Sequence, residues 1–298
     1  MALSSITLSL CGSVAAQQFS AWSTPANLGP SINTANDEFH PAISGDGLTF
    51  FFSADRPGGF GSYDLWVSHR PDRNTDWEPA QNLGRRFNTA GGEAGTYLSP
   101  DGHSLYFCRD GISGGDDIEI YVAYRNDTND SFGWDQPANL GKSVNANGSN
   151  CDPAVFVDPD TGVTTLYFAR LNKLGQSDWD IYQSSLQADE TFGEAVVVPE
   201  LTSTYRDTHP TIRRDGLEII FSSTRPRTLG AIDLWVSTRS TTHDKWSTPV
   251  NLGATVNSAS FDRAPYLSDD GQSLIFISDR PGGFGGNDYY ISTRKKSD

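Results

Sequence analysis

Two histidines occupy equivalent places in the chain and could carry acid–base or metal chemistry. His40 and His209 each stand directly before a proline, and the matching positions elsewhere hold Gly95, Asp152 and Ala264. Histidine changes its protonation state near neutral pH, and its neutral ring nitrogens bind transition metals. The pair could therefore act as metal ligands, as a catalytic acid and base, or only as hydrogen-bonding residues at the start of a strand.

A second set of polar residues lies two positions earlier in the same pattern. Its members are Glu38, Glu93, Asn150, Asp207 and Asp262. Carboxylates that converge repel one another unless a cation or an arginine compensates their charge. Oxygen ligands suit Ca²⁺, so the four carboxylates could form a metal site. Two carboxylates at a fixed separation could also cleave a glycosidic bond, which makes all four, together with the two histidines, candidate catalytic residues.

Aromatic and basic residues near these positions could form a ligand-binding surface. Arginine, tyrosine and tryptophan side chains stack on sugars or contact protein partners. The candidate ligand-binding residues are Asn150, Asp152, Trp179, Tyr205, Arg206 and Arg263, and Asn172, Lys173 and Phe261 are further departures from the pattern on the same face.

Two cysteines fall close to the same set of positions. Cys108 ends one apolar segment and Cys151 begins the next. Two alternatives stay open, namely a single disulfide formed in an oxidising compartment and a pair of buried free thiols.

These residues recur because the chain contains an internal repeat. Four segments begin with Trp and end with Asn-Leu-Gly, and a degenerate fifth copy contains Phe192. The regular copies are residues 22–29, 77–84, 134–141 and 246–253. Trp22 and Trp77 are 55 residues apart, and the later spacings stay close to this period. A fixed period of this length indicates a repeat architecture.

Each repeat predicts four short antiparallel strands. Turn signals such as Asp46-Gly47 join two apolar strands, because Asp-Gly favours the backbone of a tight hairpin. A third strand follows a glycine-rich loop, and the Trp segment supplies the fourth. Five such units predict an all-β, five-bladed propeller. The chain starts with a fourth strand and ends with a third, so the N-terminal strand near Trp22 is expected to complete the last blade.

Arginines and acidic residues also repeat in every unit. The arginines are Arg56, Arg109, Arg170, Arg225 and Arg280, and the acids that open the third strands are Asp64, Glu119, Asp180, Asp233 and Asp288. Because arginine binds carboxylates through two parallel hydrogen bonds, we expect these residues to pair in a structural ladder that links the blades.

The repeat resembles a known family. Residues 37–47, 52–64 and 276–288 resemble the WD40-like PD40 repeat of TolB-type propellers, and the likeness extends more weakly over the remaining units. The resemblance implies an extracytoplasmic protein that acts as an interaction or envelope module. Related propellers also include carbohydrate-active enzymes.

The net charge and the N-terminal segment limit the expected partners and cellular location of the protein. The formal net charge is −15, which makes nucleic acid and anionic membranes poor partners. Residues 1–16 predict a signal peptide, which leaves 17–298 as one propeller domain in the periplasm or outside the cell. We expect a monomer without a transmembrane span.

The sequence favours a binding module over an enzyme. The expected partner is a protein, a glycan or a peptidoglycan fragment, bound at the mouth of the central channel. The alternative is a glycan-directed hydrolase or lyase that uses the channel carboxylates and histidines, with or without bound Ca²⁺.

Overall fold

The polypeptide forms five four-stranded antiparallel sheets, one after another along the chain. The structure is a computed structural model that describes residues 19–110, 117–146, 148–171 and 178–297. Within these residues, no helix is long and apolar enough to cross a membrane. The all-β, five-bladed propeller predicted from the repeat is confirmed, whereas the predicted signal peptide, 1–16, lies outside the described residues.

The strands of each blade follow the repeat closely. Blade 1 comprises β2 (Glu38–Ile43), β3 (Thr49–Ala54), β4 (Asp64–His69) and β5 (Gln81–Asn82). Blade 2 comprises β6 (Glu93–Leu98), β7 (Ser104–Asp110), β8 (Ile118–Tyr124) and β9 (Ala138–Asn139). Blade 3 comprises β10 (Asn150–Val157), β11 (Thr164–Leu171), β12 (Trp179–Ser185) and β13 (Val196–Val197). Blade 4 comprises β14 (Asp207–Ile212), β15 (Glu218–Ser223), β16 (Asp233–Thr238) and β17 (Val250–Asn251). Blade 5 comprises β18 (Asp262–Leu267), β19 (Ser273–Ser278), β20 (Asp288–Thr293) and β1 (Ala26–Asn27).

The first strands of the five blades surround the central axis. Strands β2, β6, β10, β14 and β18 contact one another in a closed ring. Residues at the same position of these strands therefore face a shared space, which is the geometry that a site built from several blades requires.

Blade 5 closes the ring by joining both ends of the chain. Ala26 of β1 pairs with Ile291 of β20, and Phe19 forms a further bridge with Lys296. The Arg294 guanidinium stacks on Phe19, with 3.8 Å from its carbon to the ring centroid. The predicted closure by the N-terminal strand is confirmed, and it removes the exposed edge that β20 would otherwise present.

The middle strands supply the core. Phe50, Phe51 and Phe52 follow one another in β3, and all three side chains are fully buried. Successive side chains of a strand point to opposite faces of the sheet. The unbroken apolar run is therefore explained by the packing of both faces of the blade against neighbouring blades.

The tryptophan of the repeat anchors the outer strand. In blade 1, Arg70 lies over the Trp77 ring at 4.3 Å and donates from Nε to the carbonyl of Gly47 at 2.7 Å. This arginine thus connects the outer segment to the turn between β2 and β3. Blades 2, 4 and 5 repeat the arrangement with the Arg–Trp pairs Arg125 and Trp134, Arg239 and Trp246, and Arg294 and Trp22.

Candidate functional site

Five equivalent residues with left-handed backbone line the central channel. They are His40 (φ 48°), Gly95 (φ 63°), Asp152 (φ 58°), His209 (φ 52°) and Ala264 (φ 49°). Each lies at a register shift between the first and second strands of its blade. All five line one narrow cavity on the axis, together with their following residues. The repeated bulge therefore brings one residue per blade to a common point, and four of the five carry a side chain.

Three of these five residues form a compact polar cluster. His40 Nε2 lies 3.1 Å from Asp152 Oδ1, and His209 Nε2 lies 3.6 Å from Asp152 Oδ2. The imidazole centroids of His40 and His209 are 5.2 Å apart. The three side chains are 13%, 7% and 11% exposed in the order His40, Asp152, His209. Blades 1, 3 and 4 thus bring two imidazoles and one carboxylate together, and we call this group the axial triad.

Neighbouring groups orient the axial triad from outside. His40 Nδ1 lies 3.3 Å from Ser53 Oγ, and the backbone N–H of His209 donates to Asp152 Oδ2 at 3.2 Å. The Thr96 hydroxyl donates to the carbonyl of His40. By contrast, His209 Nδ1 is buried and has no hydrogen-bond partner among the described residues, and His40 Nε2 has only the Asp152 carboxylate beside it. One imidazole nitrogen of the triad is therefore left without a donor or acceptor.

Burial and mutual charge set the protonation of the triad. Burial lowers the pKa of His209 to about 3, and His40 and two nearby arginines oppose protonation further, although Asp152 favours it. Burial opposes ionisation of Asp152, but the two imidazoles outweigh it and hold the pKa of that carboxyl well below its usual range. At neutral pH His209 is therefore a neutral imidazole beside an ionised carboxylate.

A pocket of about 320 Å³ opens above the axial triad. Its wall includes the rings of Phe39, Tyr63 and Trp179 and the guanidinium groups of Arg206 and Arg263. The volume lies at the lower end of the range of about 300–1,000 Å³ for small-molecule sites. We call this cavity the mouth pocket.

The two arginines of the mouth pocket share its wall with two carboxylates, Asp110 and Asp152. Among the described residues neither guanidinium forms an ion pair with a carboxylate. Arg206 lies 5.8 Å from the Trp179 ring centroid, and Arg263 lies 5.1 Å from that of Phe39. Arg263 Nε is buried without a hydrogen-bond partner. Burial, reinforced by Arg206, lowers the pKa of Arg263. This part of the pocket is therefore suited to an anionic group.

The disulfide forms another part of the pocket wall. Cys108 of β7 and Cys151 of β10 are joined, with their Cα atoms 5.2 Å apart. Of the two alternatives left open by the sequence, the structure has the disulfide, and it connects blades 2 and 3. A Cβ on Gly95 would lie 2.8 Å from each sulfur. Blade 2 therefore needs glycine where blades 1 and 4 carry histidine.

The carboxylates expected at the channel mouth are located inside the blades. Glu38, Glu93, Asp207 and Asp262 are all fully buried. Each is bonded to an arginine of its own blade, in the pairs Glu38 and Arg56, Glu93 and Arg109, Asp207 and Arg225, and Asp262 and Arg280. Asn150 accepts a hydrogen bond from Arg170 Nε in the same way. Of the two ways to compensate their charge that the sequence left open, a cation or an arginine, the structure has the arginine.

The expected pairing of arginine with the acid of the third strand also differs. In blade 1 the Asp64 carboxylate instead accepts the backbone N–H groups of Phe60 and Gly61 at 2.6 and 3.1 Å. Asn82 Nδ2 donates to the same carboxylate at 2.7 Å. The third-strand acid therefore holds the glycine-rich loop in place, while the arginine binds the acid of the first strand.

Several of the candidate ligand-binding residues lie in the mouth pocket, and one does not. Arg206, Arg263, Trp179 and Asp152 line it as predicted, whereas Tyr205 does not and is 42% exposed. Asn172 and Lys173 lie outside the described residues. Tyr63, which was not predicted, holds the same repeat position as Trp179, directly before the acid of the third strand, Asp64 or Asp180. Aligning the repeats around Trp179 would therefore have found it.

The fold and the channel site define a class of protein, the five-bladed propeller with a polar cluster on its axis. No model of a known protein family matches the sequence, and no curated protein matches it significantly. Solved structures resemble it at the level of the fold. An α-L-arabinofuranosidase from Lactobacillus brevis has a TM-score of 0.61 at 12% identity, with 89% of this chain and 92% of that chain covered.

Two further solved structures show the range of proteins that share this fold. A thermostable family-43 glycoside hydrolase gives a TM-score of 0.59 at 13% identity, covering 89% of this chain and 91% of that chain. A putative TolB from Agrobacterium tumefaciens gives 0.53 at 15% identity, covering 94% and 99%. The resemblance to TolB-type propellers is thus shown for the fold, and these identities carry no statement about activity.

Proposed function

We propose that the protein is a binding module for a glycan that carries carboxylate groups, and that the ligand enters the mouth pocket. The observation that carries the proposal is the pair Arg206 and Arg263, whose guanidinium groups lack carboxylate partners among the described residues. In a chain of net charge −15, these two arginines bring positive charge to a pocket whose wall also contains Asp110 and Asp152. An anionic ligand would supply the missing partner.

The aromatic side chains of the pocket support a sugar as the body of that ligand. Phe39, Tyr63 and Trp179 offer apolar ring surface beside the arginines. Aromatic rings bury the apolar faces of sugars, while guanidinium groups bind the carboxylates of uronic acids or of peptidoglycan peptides. Glycans have a precedent on this fold, because the similar structures include a glycoside hydrolase.

The burial of the four candidate catalytic carboxylates favours binding over hydrolysis. Glu38, Glu93, Asp207 and Asp262 have no exposed surface, so they offer no oxygen atom to a sugar in the pocket. Each carboxylate also forms an ion pair with an arginine, which compensates its charge. We therefore assign these four residues an architectural role.

An extracytoplasmic location fits the same proposal. The disulfide between Cys108 and Cys151 is of the kind that persists in oxidising compartments. Glycans and peptidoglycan are found in those compartments, and the predicted signal peptide would direct the chain there.

Calorimetric titration with carboxylated and neutral oligosaccharides tests the proposal. Oligogalacturonate and soluble peptidoglycan fragments are the carboxylated probes, and xylo-oligosaccharides are the neutral probe. We expect a carboxylated probe to bind, and we expect Arg206→Gln and Arg263→Gln each to weaken that binding by about tenfold, because each loses a charge-assisted hydrogen bond. Increasing salt should weaken it as well.

The control variant is Arg214→Gln, because Arg214 is exposed and lies outside the mouth pocket. It should leave the affinity unchanged. Equal affinity for neutral and carboxylated probes, or undiminished binding by both pocket variants, would contradict the proposal. Mass spectrometry of the same mixtures would reveal new fragments if the protein were instead a hydrolase or lyase.

A further inference from the structure

We propose that His40, Asp152 and His209 form a binding site for one divalent transition-metal ion, open toward the mouth pocket. The potential ligand atoms of the three side chains all lie within 4.8 Å of one another. All three residues line both the mouth pocket and the axial cavity, so an ion between them would be reached from the pocket. This inference rests on the axial triad alone and is independent of the glycan proposal.

The spacing of the ligand atoms matches what one ion requires. Metal–ligand distances of about 2.0–2.1 Å with tetrahedral angles place neighbouring ligand atoms about 3.3 Å apart. Two separations bracket that value, at 3.1 Å from His40 Nε2 to Asp152 Oδ1 and 3.6 Å from His209 Nε2 to Asp152 Oδ2, and the separation between the two imidazoles is within 4.8 Å. Small side-chain adjustments would therefore bring all three groups into one coordination sphere.

Hydrogen bonding alone leaves the triad incomplete. His209 Nδ1 has no partner among the described residues, and His40 Nε2 has only the Asp152 carboxylate, 3.1 Å away. Meanwhile, Ser53 Oγ lies 3.3 Å from His40 Nδ1, on the opposite side of the ring from Asp152. Ligating histidines commonly contact a second group through the nitrogen that does not bind the metal. Ser53 is placed to be that group for His40.

The fold itself does not demand these side chains. The same left-handed position is filled by Gly95 in blade 2 and by Ala264 in blade 5. Small residues therefore satisfy the bulge, so the backbone does not require histidine or aspartate there, and their presence needs another reason. Convergence of two imidazoles and a carboxylate on one point supplies that reason if they bind a metal.

The donor set selects the class of ion. Two nitrogens and one carboxylate oxygen suit Zn²⁺, Co²⁺, Ni²⁺ or Mn²⁺ better than Ca²⁺, which prefers oxygen ligands throughout. Three protein ligands also leave at least one coordination position free, as in metal sites that bind a further ligand. The metal-ligand class therefore differs from the oxygen-only Ca²⁺ site expected from the sequence.

Equilibrium dialysis and calorimetry with Zn²⁺ alone test the proposal on the full chain after chelator treatment. We expect one equivalent to bind, with a matching rise in melting temperature. The variants His40→Ala, Asp152→Gly and His209→Gly each install a residue that another blade carries at this position. They should fold, because the backbone position already accepts these residues. Each should weaken Zn²⁺ binding at least tenfold and abolish the thermal shift.

The matched control is His243→Ala, because His243 is an exposed histidine away from the axis. Its Zn²⁺ affinity should equal that of the wild type. With Co²⁺ as a second probe, visible absorption bands should form in the wild type and be lost in the three triad variants. Absence of saturable Zn²⁺ and Co²⁺ binding would overturn the proposal, and so would binding that the triad variants leave intact or that His243→Ala weakens equally.

Discussion

Each blade contains an arginine that compensates a buried polar group, and blade 3 shows that the group need not be charged. In blade 2, Arg109 Nε lies 3.1 Å from Glu93 Oε1 and the guanidinium also donates to the carbonyl of Phe87. In blade 3, Asn150 replaces the acid and still accepts from Arg170 at 2.7 Å. The arginine therefore tolerates a neutral acceptor, whereas a buried carboxylate without its arginine would be uncompensated.

This asymmetry gives a prediction for the pair in blade 2. Arg109→Gln should lower the free energy of unfolding by about 3–5 kcal/mol, because it leaves the Glu93 charge buried without a partner. Glu93→Gln should cost only about 1–2 kcal/mol, because the amide still accepts a hydrogen bond. Urea unfolding of both variants measures the difference.

The same pair also tests whether Glu93 is catalytic. If Glu93→Gln removed ligand turnover while preserving stability, the architectural assignment would be wrong. Equal destabilisation by the two variants would contradict the electrostatic explanation. The expected result is a stability difference with no effect of Glu93→Gln on binding in the mouth pocket.

Residue-level partners were only partly predictable from the sequence. In blade 2, Arg109 pairs in register with Glu93 on one side and with Glu119 on the other. Register alone therefore allows either acid as the partner of the arginine. The choice depends on which other donors reach each acid in the fold. The acid of the third strand also accepts hydrogen bonds from the glycine-rich loop, as in blade 1, or from the outer strand, as in blades 1 and 2. Such competition is decided by loop geometry, which the repeat pattern does not encode.

At the scale of secondary-structure elements, the strands that meet at the axis are held by more than packing. The disulfide between β7 and β10 joins neighbouring blades next to Asp152, which follows Cys151 directly. It therefore fixes the start of β10 at the place where this strand contributes to the axial triad. The bulge in β10 begins at Cys151 as well.

Removing the disulfide should destabilise the fold measurably. For a sequence separation of 43 residues, chain entropy predicts that Cys108→Ala with Cys151→Ala lowers the free energy of unfolding by about 4 kcal/mol. Chemical denaturation of the double variant provides the measurement. Wild-type protein under reducing conditions is the control and should lose a similar amount. Unchanged stability in both samples would show that this crosslink does not constrain the unfolded chain.

The turns and strands were predictable, but the bulges were not. Asp-Gly signals and apolar runs identify the hairpins because they report local backbone preference and alternate burial. The left-handed bulge is invisible to that reasoning, since four residue types, histidine, aspartate, glycine and alanine, occupy the one position and no turn signal marks it. The residues of the triad could be singled out as departures from the repeat, but their contact follows from the bulge.

For the whole molecule, stability depends on closing the ring. Glu218 of blade 4 accepts hydrogen bonds from Arg213 and, through both oxygens, from Arg294 of the C-terminal segment. Arg294 also stacks on Phe19 and Trp22 of the N-terminal segment. One buried carboxylate thus connects blade 4 to the two chain ends in blade 5. The closure itself was predictable, because the repeat begins with an unpaired fourth strand.

Deleting the closing strand should expose the edge of blade 5. A chain that lacks residues 1–28 loses β1 and the aromatic partners of Arg294, so we expect a lower melting temperature and self-association through β20. Differential scanning calorimetry and size-exclusion chromatography with light scattering measure both effects. Deletion of residues 1–18 is the control, since it retains Phe19, Trp22 and β1, and it should behave as the full chain does. A stable monomer without residues 1–28 would contradict the structural importance of closure.

The pairing of Ala26 with Ile291 also sets an order of events during synthesis. The strand that leaves the ribosome first must wait for the strand that leaves it last, while blades 1 to 4 can form from contiguous chain. Contacts between such distant residues are slow to form because a long loop must close before they are made. The part of the chain that is synthesised first is therefore the last to be fixed in the fold. Until then, the new protein is an open arc of blades with an unpaired sheet edge at one end.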